Sequence, residues 1–141
     1  FRLAALHLPG LYVPTAIARH HGSASLGRWH PDTVRRIARN QIFLVARHYP
    51  SPTRYLWPIL VAQILWGFVA LRHAAGFAWL RGVMQGLRQF TYVRRTSEKS
   101  DPDVIDSFLR ANERSIREIQ SATGFDIYWR LYFLLTSGGT K

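Results

Sequence analysis

The residues with the most chemical promise lie close together near the start of the chain. Tyr12-Val13-Pro14-Thr15-Ala16-Ile17-Ala18-Arg19-His20-His21-Gly22-Ser23-Ala24-Ser25 reads as short apolar strand that ends in two imidazoles and a loop of small residues, with Arg39-Asn40 following in a basic helix. An imidazole at a strand end serves as a metal ligand or as a phosphate contact. Ser23 and Ser25 add loop hydroxyls, and Arg39 and Asn40 add donors suited to phosphate. Carboxylate is what this region lacks. Asp32 is the one acid in residues 1–97, and its place after Pro31 suits the first turn of a helix. The region therefore supplies no pair of acids for proton transfer. With no Cys in the chain, a disulfide framework, a thiolate zinc site and cysteine catalysis are excluded. Neither a phosphate-loop glycine pattern nor a nucleophile elbow occurs.

The elements that must position these residues follow from apolar spacing and from helix stops. Phe1 to Leu6 suits the end of a helix, stopped by Pro9-Gly10. Leu11–Val13 and Ala16–Ala18 suit short strands separated by Pro14. A helix is predicted from Pro31 to about His48. Val34, Ile37, Ala38, Gln41, Leu44 and Val45 make its inner face, and Arg36, Arg39, Asn40, Phe43 and Arg47 its outer one. Tyr55–Leu71 is 17 residues without a charge, bracketed by Arg54 and Arg72. As a helix it is roughly 26 Å long, against a hydrocarbon core of about 30 Å. Trp57 and Trp66 suit a membrane interface.

Ala74–Phe90 is a second, amphipathic helix, with Phe77, Leu80, Met84 and Leu87 on one side and Arg81, Gln85 and Arg88 on another. Arg94–Lys99 reads as a polar linker. Ser100-Asp101-Pro102-Asp103 starts a helix capped by Ser100, with Val104, Ile105, Phe108, Leu109, Ile116 and Ile119 as its apolar face and a stop at Gly124. Phe125–Thr136 is a last apolar, aromatic helix before a Ser-Gly-Gly tail.

Charge sorts these elements into two parts. The chain has 141 residues and a net charge of +11, from 17 Arg and two Lys against eight acids. Residues 1–97 hold thirteen Arg against Asp32, whereas residues 98–141 hold six basic and seven acidic residues. A cationic block interleaved with apolar runs points to a membrane surface more directly than to nucleic acid. The 48% apolar content is too high for a disordered tail. The chain opens on Phe1 and its one Met is Met84, so a missing beginning is expected.

Several of these pieces fall in the order of a known pattern: Phe1-Arg2-Leu3, Gly10, Tyr12-Val13-Pro14-Thr15-Ala16, His20, Gly22-Ser23-Ala24 and Arg39-Asn40. The set resembles the C-terminal part of bacterial family 2 glycosyltransferases of the rhamnosyltransferase-like sort, over about residues 1–50. The match over residues 54–95 is in kind alone, as apolar and amphipathic helices, and residues 100–141 carry no motif of the family. The resemblance implies a chain that is mainly α as it stands, the C-terminal end of an α/β GT-A domain with short strands near 11–20. It further implies a nucleotide-sugar donor, a divalent cation (Mg²⁺ or Mn²⁺) with His20 as a ligand, and donor or acceptor contacts from Ser23, Arg39 and Asn40. The family's Asp-x-Asp and catalytic acid would precede Phe1, so the chain alone is expected to bind donor weakly and not to turn over.

The expected organisation has three regions: the end of the catalytic domain at 1–50, a membrane-associated helical region at 54–95 and a C-terminal helical extension at 100–141. Arg54, Trp57, Leu60, Leu65, Trp66, Arg72, Phe77 and Arg81 are the expected membrane contacts. The acceptor would be a bacterial glycan or a lipid-linked precursor at the cytoplasmic face of the inner membrane. Two alternatives stand beside this: a non-enzymatic membrane-surface or assembly module, and a basic nucleic-acid binder. The last is supported by charge alone, since no reading motif for nucleic acid occurs.

Overall fold

In the computed structural model the described residues are 29–137, with Leu8, Val13, Thr15–Ile17 and Gly27 before them. They are mostly helical. Five α-helices follow in order: α1 Pro31–His48, α2 Leu56–Arg72, α3 Gly76–Arg95, α4 Pro102–Thr123 and α5 Ile127–Thr136, with a 3-10 turn at Pro52–Tyr55 leading into α2. No strand occurs among the described residues. The strands expected near 11–20 fall largely outside them. Within that stretch the Ala16 amide donates to the Val13 carbonyl at 3.0 Å, which closes a turn.

Local chemistry explains the helix ends. Pro31 and Asp32 open α1, and the His30 ring Nδ1 accepts from the Asp32 amide at 3.2 Å. Asp32 also pairs with Arg35 at 3.0 Å, and that guanidinium holds the carboxyl below its usual range. Arg94 reaches across from α3 to close the other end of α1, donating to the carbonyls of Tyr49 at 2.8 Å and Pro50 at 2.6 Å. At the start of α4 the cap is Asp101, whose carboxylate accepts from the amides of Asp103 at 2.8 Å and Val104 at 3.4 Å. Ser100, expected in that role, instead donates its amide to the His48 carbonyl at 3.2 Å and ties the linker to α1. Gly124 ends α4 at φ +87°, a conformation that favours glycine.

The helices assemble around a thin core. α1 and α3 lie side by side and run in the same direction: Gly82 meets Arg35 and Ala38, Gly86 meets Ile42, and Arg94 meets Tyr49. α2 runs beside this pair in the opposite sense, with Gln63 donating to Gln41 at 2.8 Å and Trp66 packed on Trp29. Val34, Ala70, Ala75 and Ala78 form the centre, covered by Trp29 and Trp79. Such small side chains let backbones approach closely.

This close approach corrects the expected inner face of α1. Val34, Ala38, Ile42, Ala46 and Tyr49 are buried, whereas Ile37 and Leu44 are exposed. Ile42 is drawn inward because Gly86 of α3 sits directly against it. α3 likewise continues to Arg95, past the expected end at Phe90.

α4 and α5 form a hairpin attached to this core at few points. Asp106 accepts from the Arg54 guanidinium at 2.7 Å and from the Tyr55 hydroxyl, and Ile105 beside it is buried. Of the six apolar residues expected to face inward on α4, Ile105 alone is fully buried, and Ile119 is exposed. α5 runs antiparallel to α2: Trp57 Nε1 donates to the Leu135 carbonyl at 2.8 Å and the Tyr128 hydroxyl to the Ala62 carbonyl at 3.4 Å.

Candidate functional site

The apolar residues of α2 divide between two sides. Val61, Leu65, Gly67 and Ala70 turn toward α3 and α5 and are buried. Trp57, Leu60, Ile64, Phe68 and Leu71 recur at intervals of three and four residues, which places them on one helical face. That face is exposed, with Phe68 at 63% and Leu71 at 61%.

α3 repeats the arrangement for a different reason. It offers Ala78, Gly82 and Gly86 to α1 and Trp79 to α2, and four of its other large apolar side chains lie on the opposite side. Phe77, Leu80, Met84 and Leu87 follow the same intervals and are all exposed, Phe77 at 80%. α2 and α3 touch directly, since a Cβ on Gly67 would come within 2.9 Å of the Trp79 ring. The two apolar stripes therefore sit on neighbouring helices joined by the short turn His73-Ala74-Ala75. Scattered exposed apolar residues are ordinary, but two aligned rows on adjoining helices are a contact surface.

Cations surround these rows. No Asp or Glu occurs from Thr33 to Ser97, a stretch that holds ten Arg. Arg54 and Arg72 lie at the two ends of α2, and Arg81 and Arg88 lie on α3. Arg54 is engaged by Asp106. Arg72, Arg81 and Arg88 are exposed.

Of the expected membrane contacts, Trp57, Leu60, Phe77, Arg54, Arg72 and Arg81 are exposed. Leu65 and Trp66 are not at that surface. Leu65 is buried, and Trp66 packs on Trp29 with ring centroids 5.5 Å apart and its indole N–H enclosed. Helical geometry separates both from the exposed row, because Leu65 and Trp66 follow Ile64 by one and two residues and so point elsewhere. The side of α3 expected to carry Phe77, Leu80, Met84 and Leu87 is the exposed one, whereas Ile64 and Phe68 of α2 are outward residues that the sequence does not mark, since its apolar run has no polar side to set a direction.

The residues expected to do chemistry are not brought together by the described structure. His20 and Ser23 lie outside the described residues. Arg39 and Asn40 face away from α3, and the Arg39 guanidinium donates to the Asn40 side-chain oxygen at 3.0 and 3.2 Å while lying 5.4 Å from the Phe43 ring centre. Among the described residues no three His, Asp or Glu side chains converge to hold a metal ion. A broad open depression along α4 is lined by that helix's own Arg110, Glu113, Arg114, Arg117 and Glu118, of which Arg117 and Glu113 pair at 2.8 Å.

The buried titratable groups are tyrosines. Burial pushes the Tyr49 hydroxyl up to about 12, and burial likewise raises Tyr128 and Tyr132. These groups stay neutral and serve packing. Compared with protein-family models, with curated proteins and with solved structures, the chain finds no match.

Proposed function

We propose that the chain is the membrane-docking, C-terminal part of a glycosyltransferase of the family 2 kind. In this reading the intact enzyme carries a sugar from a nucleotide-sugar donor to a bacterial glycan or lipid-linked acceptor at the cytoplasmic face of the inner membrane. The observation that supports it most is the pair of exposed apolar rows on α2 and α3 within a stretch of ten Arg and no acid. An acceptor carried on a lipid must be met at the bilayer surface, and such a face brings a catalytic domain there.

The transferase half of the reading rests on the motifs of residues 1–50. His20 would share a divalent cation with carboxylates from outside this chain, since one imidazole cannot hold Mg²⁺ or Mn²⁺ by itself. The cation's contribution would be to neutralise a diphosphate leaving group. The test is sugar transfer by membranes carrying the protein together with the residues encoded ahead of Phe1. Transfer that needs a divalent cation and is lost in His20→Ala is expected. An upstream reading frame without an Asp-x-Asp element would remove the enzyme from the proposal.

A second reading keeps the membrane face and drops the chemistry. It is favoured by Arg39, whose guanidinium donates to the adjacent Asn40 side-chain oxygen and lies near the Phe43 ring. The protein would then be a membrane-surface or assembly module. Membrane binding without transfer by the longer chain is its expected signature.

A further inference from the structure

Among the described residues one helix is long and apolar enough to cross a bilayer, Pro52–Arg72. We infer that it does not cross: α2 and α3 lie as a flat hairpin in the headgroup layer of an anionic phospholipid leaflet, with Trp57, Leu60, Ile64, Phe68 and Leu71 of α2 and Phe77, Leu80, Met84 and Leu87 of α3 toward the acyl chains. This rests on the membrane-docking reading and adds the orientation and the lipid chemistry.

Three observations carry it. The first is that α2 is tied to three neighbouring helices, with Gly67 set against Trp79 of α3. Gln63 is bonded to Gln41 of α1, and Trp57 and Ala62 are bonded to α5. A crossing α2 would therefore take α1, α3 and α5 into the bilayer with it.

The second is what those neighbours carry. Along α3 stand Arg81 and Arg88, along α1 stand Arg36 and Arg47, and α5 bears Arg130, all exposed. A crossing helix would place several of these guanidinium groups in hydrocarbon without an acid beside them, which a bilayer strongly resists. In the flat arrangement one side of the hairpin meets acyl chains and every guanidinium keeps water or phosphate.

The third is the position of the cations. A crossing α2 sends Arg54 and Arg72 to opposite surfaces. A flat α2 brings both to one headgroup layer, together with Arg81 and Arg88 of α3. Because Asp106 already engages Arg54, the phosphate contacts fall to Arg72, Arg81 and Arg88. Planar guanidinium groups of this kind suit phosphate oxygens.

The absence of Cys from the chain makes the test direct. Single-cysteine variants S51C and A74C mark the two ends of α2. Each is bound to unilamellar vesicles of equal parts phosphatidylglycerol and phosphatidylcholine, then treated with a membrane-impermeant maleimide. Both ends are expected to label fully before detergent is added. Protection of one end until detergent is added would mean that α2 crosses and would overturn the inference while leaving membrane docking intact. In parallel, an environment-sensitive dye on I64C and on F68C is expected to be quenched equally by lipids brominated at one shallow acyl position. Unequal depths would again overturn it.

Binding to phosphatidylcholine alone should be far weaker, and R72Q/R81Q/R88Q should lower affinity for the anionic vesicles on the order of a hundredfold. Equal affinity for neutral vesicles would overturn the lipid chemistry. Absence of binding to either vesicle would sink the inference and the docking reading together.

Discussion

Gly82 of α3 lies against the carbonyl group of Arg35 in α1, so close that a Cβ at this position would come within 2.3 Å of the Arg35 oxygen and 2.9 Å of the Ala38 Cβ. The obstacle is backbone, which cannot swing aside. One turn further along α3, a Cβ on Gly86 would meet the Ile42 Cβ at 2.7 Å. The spacing Ala78, Gly82, Gly86 against Val34, Ala38, Ile42 is thus a pair of four-residue ladders that sets how near the two helices come.

Gly82→Ala should therefore destabilise the bundle by about 1–3 kcal/mol, the usual cost of forcing a methyl into a filled interior. This exceeds the gain of up to about 1 kcal/mol that Ala brings to a helix over Gly. Gly76→Ala makes the control. There the added Cβ would meet Leu71 Cδ2 at 2.3 Å, but Leu71 is an exposed side chain with a movable end. Urea midpoints followed by circular dichroism should fall clearly for Gly82→Ala and stay near the parent for Gly76→Ala.

Asp106 holds α4 to the rest of the protein. Its carboxylate, 11% exposed, accepts from Arg54 and Tyr55 while Ile105 next to it is buried. Asp106→Ala removes the acceptor of both donors, at a cost of about 1 kcal/mol because the Arg54 side chain is 60% exposed and regains water. The loss should be local, since α4 touches the α1–α3 core at few other points. Hydrogen exchange should quicken across the first turns of α4 and remain unchanged in α1 and α3. Uniform quickening throughout the chain would contradict this division.

Where the signal is local, the sequence already reports the structure. Pro31-Asp32 and Gly124 mark helix ends through their own backbone preferences, and α1 and α4 run as those residues dictate. Facing is a different matter. The outer face of α3 is its more hydrophobic one, because Gly82 and Gly86 pull the helix toward α1 by what they lack. A reading that ranks residues by apolarity misses a contact made by backbone. The same limit explains Ser100 and Asp101: both are good caps, and the choice between them is made by the His48 carbonyl, far away in sequence. The chemistry expected of His20 and Ser23 depends on partners outside the described residues, and Arg39 finds Asn40 because the two are adjacent.

Tyrosine burial gives the protein an alkaline limit. Tyr49 is raised to about 12 from an ordinary value of 10.0, and burial raises Tyr128 and Tyr132 as well. A group whose pKa is higher in the folded state binds more protons there than in the unfolded chain. Its contribution is complete below the unfolded value and is lost as pH climbs toward the folded one. The tyrosine contribution should consequently be constant below about pH 10 and fall between roughly pH 10 and 12. Tyr49→Phe should flatten part of that fall, as read by urea midpoints across the range. An unchanged slope in Tyr49→Phe would assign the alkaline limit to other groups.

The division of α2 into an outward and an inward row predicts opposite fates for neighbouring substitutions. Leu60 and Ile64 are exposed, and Leu65 is buried against the rest of the bundle. Leu60→Glu and Ile64→Glu leave the interior intact, so their urea midpoints should lie within about 0.5 kcal/mol of the parent. Each should nevertheless abolish binding to anionic vesicles, because a carboxylate would sit among acyl chains and repel lipid phosphate. Leu65→Glu puts an unpaired carboxylate into the interior and should unfold the bundle whether lipid is present or not. Co-flotation and circular dichroism on the three variants read the two effects separately. If Leu60→Glu binds vesicles like the parent, the exposed row of α2 is not the surface that meets the membrane.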